Sequence, residues 1–450
     1  MLALEAVRFL DTATLAQPHA TLAASEGAAM IERRWWHDEP NYREIAEQLD
    51  PVLAIDGHTH LLSLASYQPE LDAGNPLGLR STDPRIADAL ERRFGASASE
   101  MGLPAAIEVA ERRRAEMIDR LGVEGYWSDH FAATSTEIAI VSQDLPDGID
   151  GRRFRWAANT TGLLLPLPAD AIAARSPRHE RYRASAEVLI THWLAAAGLD
   201  AVPDEVDGYL AFLDRTLEAW KGSGAVGVKF WDAYLRTLAF ADVPVERARE
   251  LYRRGRRDPL PRDDYLELQD HLARHIFATA GRVGLAVQIH SGHGVPPFLR
   301  VAEADVRNLD SVLTDPRLFG TQFVLIHGGA PLHDDAAYLA LKPHVWTDIS
   351  AMTFLYPVPD LARALRAYLI FSPEKTMFGT DVMNYPGVPV GPELQHVALS
   401  RSTREALNLA LAHLVRDGAV DLDWAVKIGR GVLRDNAARL YGFGNRQGQG

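Results

Sequence analysis

Two histidines one residue apart, His58 and His60, follow the apolar run 52–55 in the segment Ile55-Asp56-Gly57-His58-Thr59-His60. In an extended strand, alternate side chains point to the same side, so both imidazoles would face one point. Neutral imidazoles in that arrangement suit zinc, iron or manganese, and the apolar run would hold them in a rigid frame. Such a pair also occurs on exposed strands, so it needs support from the rest of the chain.

That support comes from further polar residues, each placed at or just past the end of a short apolar run. They are Lys229, His290, His327 and Asp381. Each one alone is as readily explained as a hydrogen-bonded core group. Together with the histidine pair, however, they form a set of four histidines, one lysine and one aspartate at strand ends. The set indicates one metal-binding catalytic site.

The elements that would position these residues are strands alternating with helices. Eight predicted strands cover about 52–60, 123–129, 154–159, 225–230, 285–290, 323–327, 345–349 and 376–381. Predicted helices cover about 104–121, 184–197, 204–221, 263–281, 302–314, 334–342, 360–370, 392–416 and 424–440. This alternation predicts an α/β fold, a (β/α)8 TIM barrel with loop insertions, in which all strands end at one catalytic mouth.

The domain organisation follows from where this pattern begins and ends. Residues 1–50 are helical in character and predict an N-terminal helical extension, 51–442 the barrel, and 443–450 a flexible tail. The segment 61–102 is rich in Gly, Pro and Asp around a helical patch. It predicts a long loop that covers the mouth and sets substrate specificity.

The composition of the chain limits the classes of partner that we expect it to bind. The 450 residues carry a net charge of -13, which opposes binding to nucleic acid or to an anionic membrane. There is no Cys, so any metal must use His, carboxylate or modified Lys. We find neither a signal peptide nor a membrane-spanning run and expect a cytoplasmic protein with a small-molecule substrate. The pair Trp35-Trp36 is a candidate contact in a homo-oligomer, with core packing as the alternative.

Five motifs together resemble the amidohydrolase superfamily of metal-dependent barrel enzymes, and most closely its branch related to aminocarboxymuconate-semialdehyde decarboxylase. They are Asp56-Gly57-His58-Thr59-His60, Gln288-Ile289-His290, Leu325-Ile326-His327-Gly328-Gly329, Phe378-Gly379-Thr380-Asp381 and Asn436-Ala437-Ala438-Arg439-Leu440-Tyr441. The resemblance covers roughly 50–442. It specifies the superfamily well and the substrate poorly.

The resemblance implies one or two divalent ions per chain, with zinc expected and iron or manganese as alternatives. In mononuclear relatives, the residues at the positions of His58, His60, His290 and Asp381 bind the metal, and the residue at His327 hydrogen-bonds water or substrate. In binuclear relatives, the lysine at the position of Lys229 is carboxylated and bridges two ions. One ion would then take His58, His60 and Asp381, and the other His290 and His327. Alternatively, Lys229 stays cationic and binds a substrate carboxylate, or its side chain snorkels from the strand end without binding a ligand.

The chemistry expected of such a centre is hydrolysis. A divalent metal lowers the pKa of a bound water to about 7, and Asp381 would accept the proton and return it to the leaving group. We expect cleavage of a C–N or C–O bond in an amide, lactone or ester, with Asp381 and His327 catalytic. The alternatives are non-oxidative decarboxylation of a small carboxylic acid and a non-catalytic barrel scaffold.

Residues just after strands four and five are candidates for substrate binding. They are Trp231, Tyr234, Arg236 and His293. An arginine at this place could hold a substrate carboxylate. Loop packing and a solvated charge are the alternatives for each of them.

Overall fold

Eight parallel strands form the centre of the fold, and each pairs with its neighbour in chain order. The structure is a computed structural model that describes residues 34–62, 83–142, 145, 149–169, 177–294, 299–383 and 391–444. The strands are β1 Ala54–Thr59, β2 Thr136–Val141, β3 Phe154–Asn159, β4 Gly227–Phe230, β5 Ala286–His290, β6 Phe323–Ile326, β7 Val345–Asp348 and β8 Thr376–Met377.

Backbone hydrogen bonds close the barrel between its first and last strands. The amide of Gly57 donates to the carbonyl of Phe378 at 2.9 Å, and the amide of Asp381 donates to the carbonyl of His58 at 2.9 Å. The predicted (β/α)8 barrel is therefore confirmed. Its closure also brings the segment after β8 against the His-x-His segment of β1.

The predicted second strand was wrong. Residues 123–129 lie in the helix Leu103–Ala133, which bends at Gly122, where φ is 68°. Tyr126, Trp127, His130 and Phe131 are buried at the spacing of one helix face. The strand itself is Thr136–Val141, whose residues are mostly β-branched and nearly all buried. A short apolar run does not by itself distinguish a buried helix from a strand, which explains the error.

Helices surround the barrel. They are α1 Tyr42–Leu49, α2 Pro84–Phe94, α3 Ala98–Met101, α4 Leu103–Ala133, α5 Pro177–Ala196, α6 Val206–Gly222, α7 Val245–Gly255, α8 Arg262–Val283, α9 Val301–Ala304, α10 Asp310–Leu313, α11 His333–Leu339, α12 Met352–Leu355, α13 Val358–Phe371, α14 Gly391–Arg416, α15 Leu422–Arg430 and α16 Asn436–Tyr441. The single helix predicted near 302–314 is broken into α9, a 3-10 turn at Val306–Leu309 and α10. A π-helical turn at Gly431–Asp435 likewise divides the predicted helix 424–440.

The predicted N-terminal extension is described only from residue 34, where a 3-10 turn at Trp35–Asp38 precedes α1. Trp36 is buried in the core, whereas Trp35 is 58% exposed. Residues 63–82 of the predicted covering loop and residues 445–450 of the predicted tail lie outside the described residues. In the described part of the chain, no helix has the length and apolar character needed to span a membrane.

The helix α16 closes the end of the barrel opposite the strand-end histidines. The side-chain amide of Asn436 donates to the carbonyls of Pro373 and Thr376 at 2.8 and 2.7 Å. Gln288 of β5 donates to the hydroxyl of Tyr441 at 2.9 Å and to the carbonyl of Gly57 at 3.1 Å. These bonds connect the C-terminal segment to the interior of the strands that carry the candidate site.

Candidate metal centre

Three of the predicted ligands converge at the mouth of the barrel. Nε2 of His58 lies 3.2 Å and Nε2 of His60 lies 3.3 Å from the same carboxylate oxygen, Oδ1 of Asp381. In the described part of the chain, these residues form one group whose ligand atoms all lie within 4.8 Å of one another. The geometry arises because His58 in β1 and His60 directly after its last residue face the same side, and barrel closure places Asp381 opposite them.

The protonation and hydrogen bonding of this group suit a divalent cation. Nδ1 of His58 is 3.1 Å from the hydroxyl of Ser142, which leaves Nε2 for a metal. Burial, reinforced by the positive charge of Lys229, lowers the pKa of His58 to about 3, so the ring is neutral at pH 7. Oδ1 of Asp381 is buried and receives no well-directed hydrogen bond from the described residues. Two imidazole nitrogens beside an unsatisfied carboxylate oxygen are a donor set that zinc, iron or manganese would accept.

Lys229 lies against the same group. Its Nζ is 3.2 Å from Nε2 of His58, and its side chain is buried at the end of β4. Burial lowers the pKa of Lys229 to about 8, and the nearby carboxylates of Asp381 and Asp348 partly oppose this effect. The structure therefore places Lys229 beside the candidate ligands, at the position expected from the sequence. Its chemical state remains a prediction.

His290 and His327 form a hydrogen-bonded pair next to the group. Nδ1 of His290 lies 3.1 Å from Nε2 of His327, which is itself 3.9 Å from Oδ2 of Asp381. Nδ1 of His327 lies 3.0 Å from the hydroxyl of Ser350. Burial holds the pKa of both histidines well below the usual value, so both are neutral. Both ring nitrogens of His327 are thus engaged, whereas Nε2 of His290 has no hydrogen-bond partner among the described residues.

Two of the site residues have a strained backbone. His327 has a φ of 67° and Asp381 a φ of 55°, in the left-handed region that residues other than glycine seldom occupy. Such conformations cost on the order of 1 kcal/mol or more and persist where the surrounding structure enforces them, which is common at active sites. At Asp381, the backbone bond to the carbonyl of His58 is one of the enforcing contacts.

Two of the four predicted substrate-binding residues lie against the histidine pair, and a third, Trp231, is connected to them through Tyr182. The ring of Tyr234 is 4.8 Å from that of His290, and the ring of His293 is 5.3 Å from that of His327. Trp231 and Tyr234 both contact Tyr182, which stacks on Tyr234 at 4.7 Å. These rings form one aromatic wall beside the site. Their role toward a substrate remains a prediction.

Arg236 is the predicted residue that the structure does not bring to the group. Its guanidinium is buried and bonds to the carboxylate of Asp270, the amide oxygen of Gln269 and several backbone carbonyls. It also stacks over the ring of Phe240 at 4.7 Å. Arg236 therefore holds the loop after β4 against α8, and its donors are already used by the protein.

Sequence reasoning did not single out Asp348, which ends β7 in the barrel interior. Its Oδ1 accepts a hydrogen bond from the amide of Ser350 at 2.9 Å, and its Oδ2 has no partner in the described structure. Burial raises the pKa of Asp348 to about 7. A Cβ at Gly57 or Gly379 would lie 2.8 or 2.4 Å from Oδ2, so both glycines are needed for this carboxyl to fit. The sequence signal that could have identified Asp348 is its position at the end of a predicted strand.

Fold and site together define a (β/α)8 barrel with a candidate His-His-Asp metal centre at its mouth. The chain belongs to the amidohydrolase superfamily, because residues 171–443 match the family described as Amidohydrolase. The predicted superfamily is therefore confirmed. No curated protein sequence matches the chain significantly.

Solved structures share the fold. A protein from Lactobacillus casei ATCC 334 described as a metal-dependent hydrolase superposes with a TM-score of 0.55 at 18% identity, covering 88% of this chain and 97% of that one. The uronate isomerase of Thermotoga maritima gives 0.53 at 14%, with 90% and 98% covered. The glucuronate isomerase of Caulobacter crescentus gives 0.55 at 16%, with 90% and 94% covered. At these identities the likeness supports the barrel and leaves the reaction open.

Proposed function

We propose that the chain is a hydrolase that uses a divalent ion held by His58, His60 and Asp381 to cleave a C–N or C–O bond of a small molecule, an amide, lactone or ester. The observation that carries this proposal is the convergence of two imidazole nitrogens on Oδ1 of Asp381 at 3.2 and 3.3 Å. Membership of the amidohydrolase superfamily supports it. A divalent ion held by these residues would supply a nucleophilic water at neutral pH and would polarise the scissile carbonyl.

The chain's own residues have separate tasks in this reaction. Asp381 contacts the histidines through Oδ1, and its Oδ2 faces Nε2 of His327 at 3.9 Å. Asp381 accepts the proton of the attacking water and returns it to the leaving group. Ser350 fixes the ring of His327 through Nδ1, so Nε2 is presented to the space beside Asp381. His327 is the group that would hydrogen-bond the substrate oxygen there, in exchange for the contact of its Nε2 with Nδ1 of His290 at 3.1 Å.

We further propose one ion per chain, with Lys229 unmodified and zinc as the expected metal. A second ion would need a nitrogen from each of His290 and His327, yet both ring nitrogens of His327 are engaged, Nε2 with Nδ1 of His290 at 3.1 Å and Nδ1 with the hydroxyl of Ser350 at 3.0 Å. His290 remains a candidate further ligand, because its Nε2 has no partner in the described part of the chain.

Decarboxylation of a small carboxylic acid is the second candidate, and the position of Lys229 favours it. An unmodified ammonium buried beside the ligands would attract a substrate carboxylate to the same mouth. In that reaction, a neighbouring acid protonates carbon once carbon dioxide leaves.

Metal analysis and turnover of protein purified without chelators test these proposals. We expect about one ion per chain, no added carbon dioxide on Lys229 in an intact-mass spectrum, and hydrolysis of members of an amide, lactone and ester panel. Asp381→Asn should abolish turnover and retain or weaken metal binding. Protein that neither carries nor binds metal would refute the metal centre. The non-catalytic barrel scaffold would then be the remaining hypothesis. Release of carbon dioxide from carboxylic acids without any hydrolysis would establish the second candidate.

A further inference from the structure

A buried chain of polar side chains runs from the candidate metal centre outward through two helices. Nε2 of His396, on α14, lies 3.4 Å from Oδ2 of Asp56, on β1. Nδ1 of His396 lies 3.0 Å from Nε2 of His130, on α4. All three side chains are fully buried. Neither α4 nor α14 contributes a ligand to the group described above.

Asp56 connects both halves of that group. Its Oδ1 accepts hydrogen bonds from the amides of Thr380 and His58 at 3.0 and 3.3 Å. Its Oδ2 accepts a hydrogen bond from the hydroxyl of Thr380 at 2.5 Å. Thr380 directly precedes Asp381, whose backbone is strained. The carboxylate of Asp56 therefore fixes the segment of one histidine ligand relative to the segment of the carboxylate ligand.

The contacts on the two sides of His396 differ in kind. Nδ1 of His396 and Nε2 of His130 are within hydrogen-bond distance, and burial lowers the pKa of His130 well below its usual value. Nε2 of His396 lies at ion-pair distance from the carboxylate of Asp56 and makes no directed hydrogen bond to a described residue. A hydrogen on this nitrogen would face the carboxylate, which has only acceptor oxygens when ionised.

The same helix, α14, also contacts the chain that follows Asp381. Gln395, the neighbour of His396 on α14, donates to the carbonyl of Met383 at 2.8 Å. Glu393, in the first turn of this helix, accepts hydrogen bonds from Arg114 of α4 at 2.9 and 2.6 Å. The start of α14 is therefore anchored to α4 and contacts the chain two residues after the carboxylate ligand.

We propose that His396 is a positioning residue for the metal centre, which acts through Asp56 and Thr380 on the orientation of Asp381 and is itself oriented by His130. This inference rests on the proposed metal centre. Loss of such an outer contact typically weakens metal binding by about 10- to 100-fold. The mechanism is loss of preorganisation, since Asp381 would leave its strained conformation in part of the molecules.

Three substitutions of His396 separate positioning from packing. The amide nitrogen of Gln reaches the place of Nε2 and can still donate to Asp56. That of Asn reaches only the place of Nδ1, and Leu donates nowhere. Zinc dissociation constants are measured by competition with a chromophoric chelator, and thermal unfolding is measured on the metal-free proteins. We expect His396→Leu and His396→Asn to bind zinc about 10-fold or more weakly and His396→Gln to be near wild type. His413→Leu, on the same helix but remote from the site, is the control and should match wild type.

Equal zinc affinity in all His396 variants would overturn the proposal. The proposal would also be overturned if zinc affinity fell in step with the thermal stability of the metal-free proteins and His396→Gln bound zinc no better than the other variants. If the His396 variants do not fold, Thr380→Val and Thr380→Ser provide the same comparison, because Ser keeps the hydroxyl that donates to Asp56 and Val does not. A wild-type protein that binds no zinc would overturn both this inference and the metal centre, whereas equal affinity among variants refutes the positioning role alone.

Discussion

Nζ of Lys229 lies 3.2 Å from Nε2 of His58, so the amine and a metal ion compete for the same imidazole lone pair. An ammonium at this distance would also repel a divalent cation. Metal binding must therefore displace the amine, deprotonate it, or follow its conversion to a carbamate. The removal of the lysine side chain distinguishes these cases.

Lys229→Met is expected to keep the metal content at about one ion per chain and to leave zinc affinity equal or higher, because the competing amine is gone. Elemental analysis and chelator competition measure both quantities. Lys229→Arg, which retains a cation, is the matched variant and should bind zinc more weakly than Lys229→Met. A fall from two ions to one or none in Lys229→Met would instead support a carboxylated bridge.

Ser142→Ala should weaken zinc binding by about tenfold with little change in the free energy of unfolding. The hydroxyl of Ser142 lies 3.1 Å from Nδ1 of His58 and fixes the ring orientation that offers Nε2 to the metal. Ser142→Thr, which keeps the hydroxyl, is the control. Chelator competition gives the affinity and urea unfolding gives the stability. An unchanged zinc affinity in Ser142→Ala would show that the β1 backbone alone orients His58.

The ligand group could be predicted because its signals are short-range and periodic. His58 lies in β1, His60 follows its last residue on the same side, and Asp381 ends the last apolar run before the C-terminal helices. Strand ends of a barrel meet at one mouth, so their convergence required only the fold class. Asp348 obeys the same rule at the end of β7 and was within reach of that reasoning.

Other parts could not be read from the sequence. Ser142 and Ser350 carry no sequence signature, because any exposed loop contains serines and only the folded chain places these two beside His58 and His327. Arg236 has the right position for a substrate contact, but its acceptor, Asp270, lies 34 residues further along the chain. The error at 123–129 arose because helix packing overrode a local apolar run.

Gly294→Ala should reduce turnover several-fold while the fold remains intact. A Cβ at this position would lie 2.6 Å from the hydroxyl of Tyr234 and 3.0 Å from Nε2 of His290. The methyl group would therefore push the aromatic wall and His290 away from each other. Gly320→Ala is the control, because its Cβ would meet nothing within 4 Å. Steady-state kinetics and thermal unfolding of both variants test this, and equal kinetics in wild type and Gly294→Ala would remove this wall from the reaction.

Asp232→Asn should stabilise the protein at pH 8 and not at pH 4. Burial raises the pKa of Asp232 to about 6, although Arg236 and the hydroxyl of Thr161 oppose this effect. A folded-state pKa above the unfolded value means that the folded protein binds the extra proton. This contribution to stability is complete below about pH 4 and is lost as the pH rises through 6, at a cost of about 3 kcal/mol. Asn keeps the shape without the charge, so its free energy of unfolding, measured by urea titration from pH 4 to 8, should lack this decline. Parallel pH curves for the two proteins would mean that Asp232 is ionised at little cost.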